Sequence, residues 1–445
     1  MDTKKLLFSI AAASALCALT AGEITFKFSC NKSEPFFKTG EKVILTGEVF
    51  DDGKPAVDQN VSVTLTSNTK TVKRIGKVKA GKPFTFEYTP DAPGWLSLRI
   101  YALDEKGKHI TFKTKRYGRT ISKSCYGGYG VMIEPEKLTA AKAEPADFDE
   151  FWNKVKTELA AVPMKVIEKK QIPNKKADLF NVKIACAGEK PVSGCLSLPK
   201  NAKPKSLPAM LYFHGAGVSS ASTSTARAVQ GFIYFDVNAH GIENCMPAKY
   251  YGDLRNNFYL PKNKIGYPHW GKENRDTFYF KGMYMRVMRA LEYVKSLPEW
   301  DGKHLIVSGG SQGGAQVLAA AGLDKDITLA RCEVPAMCDH SGCLAGHMSG
   351  WPKLYKATQD GKPDKTEVAE CAGYFDGVHF AKRVKCPIYF STGGFDFTCP
   401  PSSVYKAYNN VPDGVVKHIA YIPDGNHGSS KTQAFEPALQ KHIKE

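Results

Sequence analysis

A serine flanked by glycines, "GGSQG" at 309–313, follows the apolar run "HLIV". A serine hydroxyl is a weak nucleophile until a base takes its proton, and an imidazole base needs a carboxylate to fix its orientation. Gly309-Gly310-Ser311-Gln312-Gly313 has the G-x-S-x-G form, in which small neighbours permit a sharp strand-to-helix turn that lifts Oγ clear of the backbone. A phosphate cradle would use the same glycines, but the stretch lacks the Lys-Ser or Lys-Thr pair of a P-loop and the G-x-G-x-x-G spacing. The pentapeptide alone leaves nucleophile and structural turn equally open.

The two partners are sought downstream, in the order Ser, Asp, His. "GGFDFTCPP" places Asp396 just past one apolar strand, and "PDGNHGSS" places His427 just past the next. Other histidines fit less well: His418 lies inside a strand, His442 in the final helix, and His340 and His347 in a cysteine-containing loop. Asp424 and Asp413 are fallback carboxylates, though neither ends the strand before that of the histidine. A capping aspartate and a surface histidine are the plainer readings of Asp396 and His427, and the agreement of position, order and residue type outweighs them. An oxyanion needs two backbone N–H groups. Gln312 supplies one, and Ala216 in "FHGAG" the other, with His214 organising that loop.

These residues need a scaffold that brings the ends of separate strands together. From residue 180 apolar strands alternate with helical stretches, the pattern of an α/β sheet. Eight strands are read, with helices at 279–298, 314–323, 402–410 and 432–444. Phe148, Phe151, Trp152, Val155 and Leu159 recur at helical spacing and open a domain spanning 146–445. Residues 23–118 instead alternate as about seven short strands, which suggests an immunoglobulin-like β-sandwich. Trp95 is expected in its core rather than as a sugar platform. The glycine-rich "CYGGYGVMIEPEKL" falls in a linker, 119–145. Residues 1–22 carry Lys4 and Lys5, the apolar stretch Leu6–Leu19, and then small residues. This reads as a signal peptide, hence a secreted or periplasmic protein, with cell-surface association as a further option and no transmembrane segment expected.

With 445 residues, 42% of them hydrophobic, the chain can bury large cores, and disorder is excluded. Its formal charge of +17 invites a nucleic-acid reading, but export and the lack of any recognition motif point instead to an acidic polysaccharide or an anionic surface. The stretch 70–82 carries six Lys/Arg and no acid, and reads as lysines guarding exposed strands. Twelve cysteines become eleven if Cys17 leaves with the signal, so at least one stays free or pairs between chains. Cys186 with Cys195 is the best candidate disulfide. Cys332, Cys338, His340, Cys343 and His347 superficially resemble a zinc set, but their spacings fit no compact finger. Neither a metal nor an organic cofactor is expected.

Together with "EPADFDEFW", "SLPEWDGKHLIVSGGSQGG" and "DFTCPPSSVYKAYN", these residues resemble the acetyl xylan esterase and cephalosporin C deacetylase family, carbohydrate esterase family seven, over roughly 135–445. The resemblance implies an α/β-hydrolase fold and a cofactor-free removal of acetyl groups from sugar hydroxyls. Ser311, Asp396 and His427 would be the triad, Ala216 and Gln312 the oxyanion amides, and Cys399 with its prolines structural. It also implies a homo-oligomer. Two departures stand out: Asn238-Ala239-His240-Gly241 replaces the family's Arg-Gly-Gln, and Gly428 stands where the family has Glu after the histidine. The sandwich is an addition to the family core.

Residues 245–280 form an aromatic-rich loop region in which Tyr250, Tyr251, Tyr259, Tyr267 and Trp270 are placed to wall an acyl pocket or stack on sugar. Tyr251, Tyr267 and Trp270 are the foremost candidates for substrate contact; packing under a long loop is the alternative for each. The expected function is an exported serine esterase acting on O-acetylated plant polysaccharide or oligosaccharide. The same fold acting on a peptide or bulkier ester, and a non-catalytic carbohydrate-binding protein, are the alternatives.

Overall fold

The computed structural model describes residues 24–116, 119–428 and 434–445. The expected signal peptide, 1–22, lies outside the described residues, as does the first turn of the expected helix 432–444.

Residues 24–133 are all-β. Val43–Asp51 shows the cause, since its alternation turns Val43, Leu45 and Val49 inward and the intervening residues outward. One sheet joins Ile24–Cys30, Val43–Asp51, Lys54–Pro55 and Phe84–Tyr88; the other runs Phe36–Phe37, Tyr126–Ile133, Gly94–Leu103, Asn60–Ser67, Lys70–Lys79 in spatial order. Their facing side chains, among them Leu45, Val63, Leu65, Leu98, Ile100 and Val131, share one core. The basic stretch forms an edge strand with its lysines in water.

The expected linker is largely strand. Arg119–Ser124 closes a hairpin with Thr111–Arg116, and Tyr126–Ile133 pairs antiparallel with Gly94–Leu103, from Tyr126 opposite Tyr101 to Ile133 opposite Gly94. Glycine-rich composition reads as loop, yet Gly127, Gly128 and Gly130 lie where a Cβ would strike a neighbouring element.

Beyond it, the helix Phe148–Ala160 buries its apolar stripe as its spacing requires. The main sheet has nine strands, not eight: Val166–Ile172, Asp178–Ile184, Val192–Leu198, Ile233–Val237, Leu207–Phe213, Trp300–Gly310, Leu329–Glu333, Ile388–Gly393 and Lys417–Ile422 in spatial order. The first three pairings are antiparallel and the remaining five parallel. The additional strand, "VIEKKQI", is a charged, largely exposed edge with no apolar run to betray it. The inner strands are covered on both faces. Leu305 and Val307 pack with Tyr284, Val287 and Leu291 of the helix Tyr279–Lys295, while Ile306 packs with Phe435 and Leu439 of the helix Phe435–His442.

No disulfide joins any of the eleven cysteines among the described residues. The expected Cys186–Cys195 bridge is not formed because the register sets Asn181, not Cys186, opposite Cys195. Among the described residues no helix is long and apolar enough to cross a membrane.

Candidate active site

The strand Trp300–Gly310 ends in a turn that forces Ser311 to φ 58°, ψ −121° before the helix Gln312–Leu323 begins. A non-glycine residue holds such a conformation only when its surroundings fix it. Here Ser311 N–H donates to Glu333 O (2.9 Å), and Ser311 O accepts from Ala336 N (2.9 Å) and Ala315 N (3.1 Å). Both flanking glycines are required. A Cβ on Gly313 would overlap Phe213 O, and one on Gly309 would lie 2.6 Å from Gly313 O.

Asp396 follows the strand Ile388–Gly393, and His427 follows the adjacent strand Lys417–Ile422. The two loops are tied together, Gly394 N donating to Ile422 O (2.7 Å) and Phe395 N to Gly425 O (3.0 Å). His427 Nδ1 lies 2.7 Å from Asp396 Oδ2 and Nε2 lies 2.9 Å from Ser311 Oγ. A carboxylate only accepts, so Nδ1 carries the proton and the Nε2 lone pair faces the serine hydroxyl. Asp396 is 1% exposed. Its Oδ1 accepts from Thr398 N (2.8 Å) and Cys399 N (2.9 Å), which prevents the carboxylate from turning away from the imidazole. Three of the competing histidines are engaged elsewhere: His418 stacks on Tyr389, His442 bonds Thr328 Oγ1, and His347 bonds Pro93 O, while His340 is buried away from Ser311 with neither ring nitrogen bonded to it.

The loop carrying Ala216 rests on this serine, since a Cβ on Gly215 would lie 3.6 Å from Ser311 Cβ. Gln312 follows Ser311 directly, and Ala216 follows the glycine that lies against it. His214 does organise the loop: its Nδ1 donates to Gly215 O (2.9 Å) and its Nε2 accepts from Ala239 N (3.4 Å).

The segment Asn238–Gly241 braces the same loop, a role the sequence flagged only as a departure from Arg-Gly-Gln. His240 Nε2 donates to Gly217 O (2.9 Å), and Nδ1 accepts from Tyr279 Oη (2.6 Å). Asn238 Nδ2 donates to Ser219 O (3.0 Å) while its Oδ1 accepts from His240 N (3.0 Å). Complete burial, with His214 nearby, pushes the pKa of His240 down to about 3. A neutral imidazole with one donor and one acceptor matches those two partners.

Of the three aromatic candidates, Tyr251 is buried and its hydroxyl is consumed within its own loop, donating to Glu243 O (2.9 Å) and accepting from Met246 N (3.0 Å). It offers nothing to a sugar. Tyr267 is also buried, but its hydroxyl donates to Gln312 Oε1 (2.6 Å), beside the nucleophile. Trp270 is half-buried and stacks on Tyr259 at 5.7 Å. Phe258, 55% exposed, lies across Trp270 and was missed because nothing distinguishes it in sequence from its aromatic neighbours. Among the described residues no three or more His, Cys, Asp or Glu side chains are placed to hold a metal ion.

A mostly parallel sheet with helices on both faces, bearing serine, carboxylate and histidine after three of its parallel strands, defines an α/β-hydrolase. The acetyl xylan esterase (AXE1) family model matches residues 134–442, and the chain belongs to that family. It is 29% identical over 425 residues to the acetyl esterase Axe7A of Xylanibacter ruminicola, spanning 93% of this chain and 90% of that protein. Among solved structures, the acetyl xylan esterase of Paenibacillus sp. R4 is 26% identical with a TM-score of 0.55, covering 70% of this chain and 98% of its own. Acetyl xylan esterase 1 of Thermoanaerobacterium sp. shares the fold, with a TM-score of 0.58 at 23% identity, covering 70% of this chain and 97% of its own.

Proposed function

We propose that this esterase removes acetyl groups from the sugar hydroxyls of plant polysaccharide fragments through an acyl-enzyme on Ser311. The observation that carries the reading is His427 bridging Asp396 at 2.7 Å and Ser311 at 2.9 Å. Ser311 Oγ attacks the acetyl carbonyl carbon as its proton passes to His427 Nε2, and the Ala216 and Gln312 amides receive the oxyanion. Collapse of the tetrahedral adduct expels the sugar oxygen, which takes the proton from the imidazole. Water, deprotonated by His427, then attacks the acetyl-serine, and acetate leaves with Ser311 restored. No step requires a metal or cofactor. The residues at 1–22 fit a secreted or periplasmic enzyme, where such fragments are met.

The test compares acetate release from p-nitrophenyl acetate and from acetylated xylo-oligosaccharides by the protein and its Ser311→Ala variant. Release from both, reduced by about three orders of magnitude or more in the variant, is expected. Cleavage of the model ester without release from the sugar would refute the substrate; equal turnover by the variant would refute the nucleophile.

A further inference from the structure

The residues on both sides of Asp396 are gripped by the N-terminal all-β unit. Trp95, with no exposed surface, donates its indole N–H to Gly394 O (2.6 Å) and packs its ring on Phe397 at 4.7 Å between centroids. The Arg99 guanidinium lies over the Phe397 ring, 3.6 Å from its centroid. On the near side, Tyr126 meets Phe395 edge-on at 6.0 Å, and a Cβ on Gly128 would lie 2.6 Å from the Phe395 ring. The histidine loop is held from the same strand, Gly130 N donating to Pro423 O (2.8 Å). A Cβ on Gly130 would overlap Gly394 O.

Gly394 is the node of this arrangement. Its N–H reaches Ile422 O, ahead of His427, and its carbonyl receives Trp95, while Asp396 stands two residues further on. Trp95, Met132, Leu138 and Tyr405 form a buried cluster of their own, against which Phe397, Tyr408 and Tyr421 pack. Two glycines of "YGGYG" therefore admit the Asp396 loop, Gly128 facing the Phe395 ring and Gly130 the Gly394 backbone, which a flexible connector would not need.

We propose that the N-terminal all-β unit is a working part of the active site, with Trp95 and Arg99 as positioning residues that hold the Asp396 carboxylate against His427. The proposal rests on the reading of Ser311, His427 and Asp396 as the working triad. Neither positioning residue touches substrate; each acts through Asp396.

A double-mutant cycle on the full chain tests this, with p-nitrophenyl acetate as substrate. Trp95→Phe keeps a ring against Phe397 and deletes the donor to Gly394. Its kcat should fall between about tenfold and a hundredfold with KM little changed, because a carboxylate displaced by a fraction of an ångström orients the imidazole poorly. In the Asp396→Asn background the same substitution should cost nothing further. An unchanged kcat, or the same fold-loss in both backgrounds, would overturn the proposal. If Trp95→Phe does not fold, Arg99→Met, at a partly exposed site, is run through the same cycle and judged by the same criterion. Ser311→Ala is measured alongside: turnover surviving in it would overturn the triad reading, and the positioning role with it, whereas an inactive Ser311→Ala with an additive cycle would overturn the positioning role alone.

Discussion

His240 braces its loop with a side chain that carries no charge: the imidazole accepts from Tyr279 and donates to Gly217, one residue beyond the Ala216 amide. Removing it takes the imidazole partner from the Gly217 carbonyl and the Tyr279 hydroxyl, and His240→Ala should lower kcat on p-nitrophenyl acetate by about tenfold. Its titration has a definite sign. The folded pKa, about 3, lies below the ordinary 6.5, so between those values the unfolded chain binds the extra proton. The stabilisation is fully present above 6.5 and is lost as pH falls towards 3, by about 3 kcal/mol near pH ~4.5. His214, also lowered by burial, adds to the same trend. Melting temperatures of the protein and His240→Ala at pH ~7 and ~4.5 should show a smaller acid loss in the variant; equal losses would contradict the assignment. In the sequence this residue was visible only as a mismatch, because a histidine bracing a loop has no spacing rule.

At the scale of elements, the turn around Ser311 is set by what surrounds it. Gly313 begins the helix against Phe213 O, on the neighbouring strand Leu207–Phe213, so Gly313→Ala must part helix from sheet. A loss of about 3 kcal/mol or more, with activity falling further than stability accounts for, is expected from denaturant unfolding and turnover. Gly76→Ala is the control: it sits in the edge strand Lys70–Lys79 with no atom within 4 Å of a Cβ, and should melt as the parent does. The meeting of Ser311, Asp396 and His427 was legible because a parallel sheet gathers strand ends, so chain order and strand position sufficed to single out Asp396 and His427. Val166–Ile172 was not legible, since a solvated edge strand has no apolar face. Tyr126–Ile133 was masked by the glycines that its close packing demands. Register, which separates Cys186 from Cys195, depends on pairings that composition does not carry.

For the whole molecule, the succession of an all-β part and an α/β part was readable from the change of hydrophobic period, but the strands between 119 and 133 and the contact between the parts were not. Trp95 was expected in a core, and the core it joins is shared with the catalytic loops rather than belonging to the sheets around it. The match to the Xylanibacter ruminicola esterase covers 93% of the chain, beyond the family model's start at residue 134, and so takes in much of that all-β part. On the proposed mechanism Ser311 carries the acetyl group during turnover. The direct measurement is rapid acid quenching of the protein during hydrolysis of p-nitrophenyl acetate, followed by mass spectrometry of its peptides. One acetyl group on the peptide containing Ser311, absent in Ser311→Ala, is the predicted result; acetyl on another residue, or turnover by Ser311→Ala at the parent rate, would contradict it.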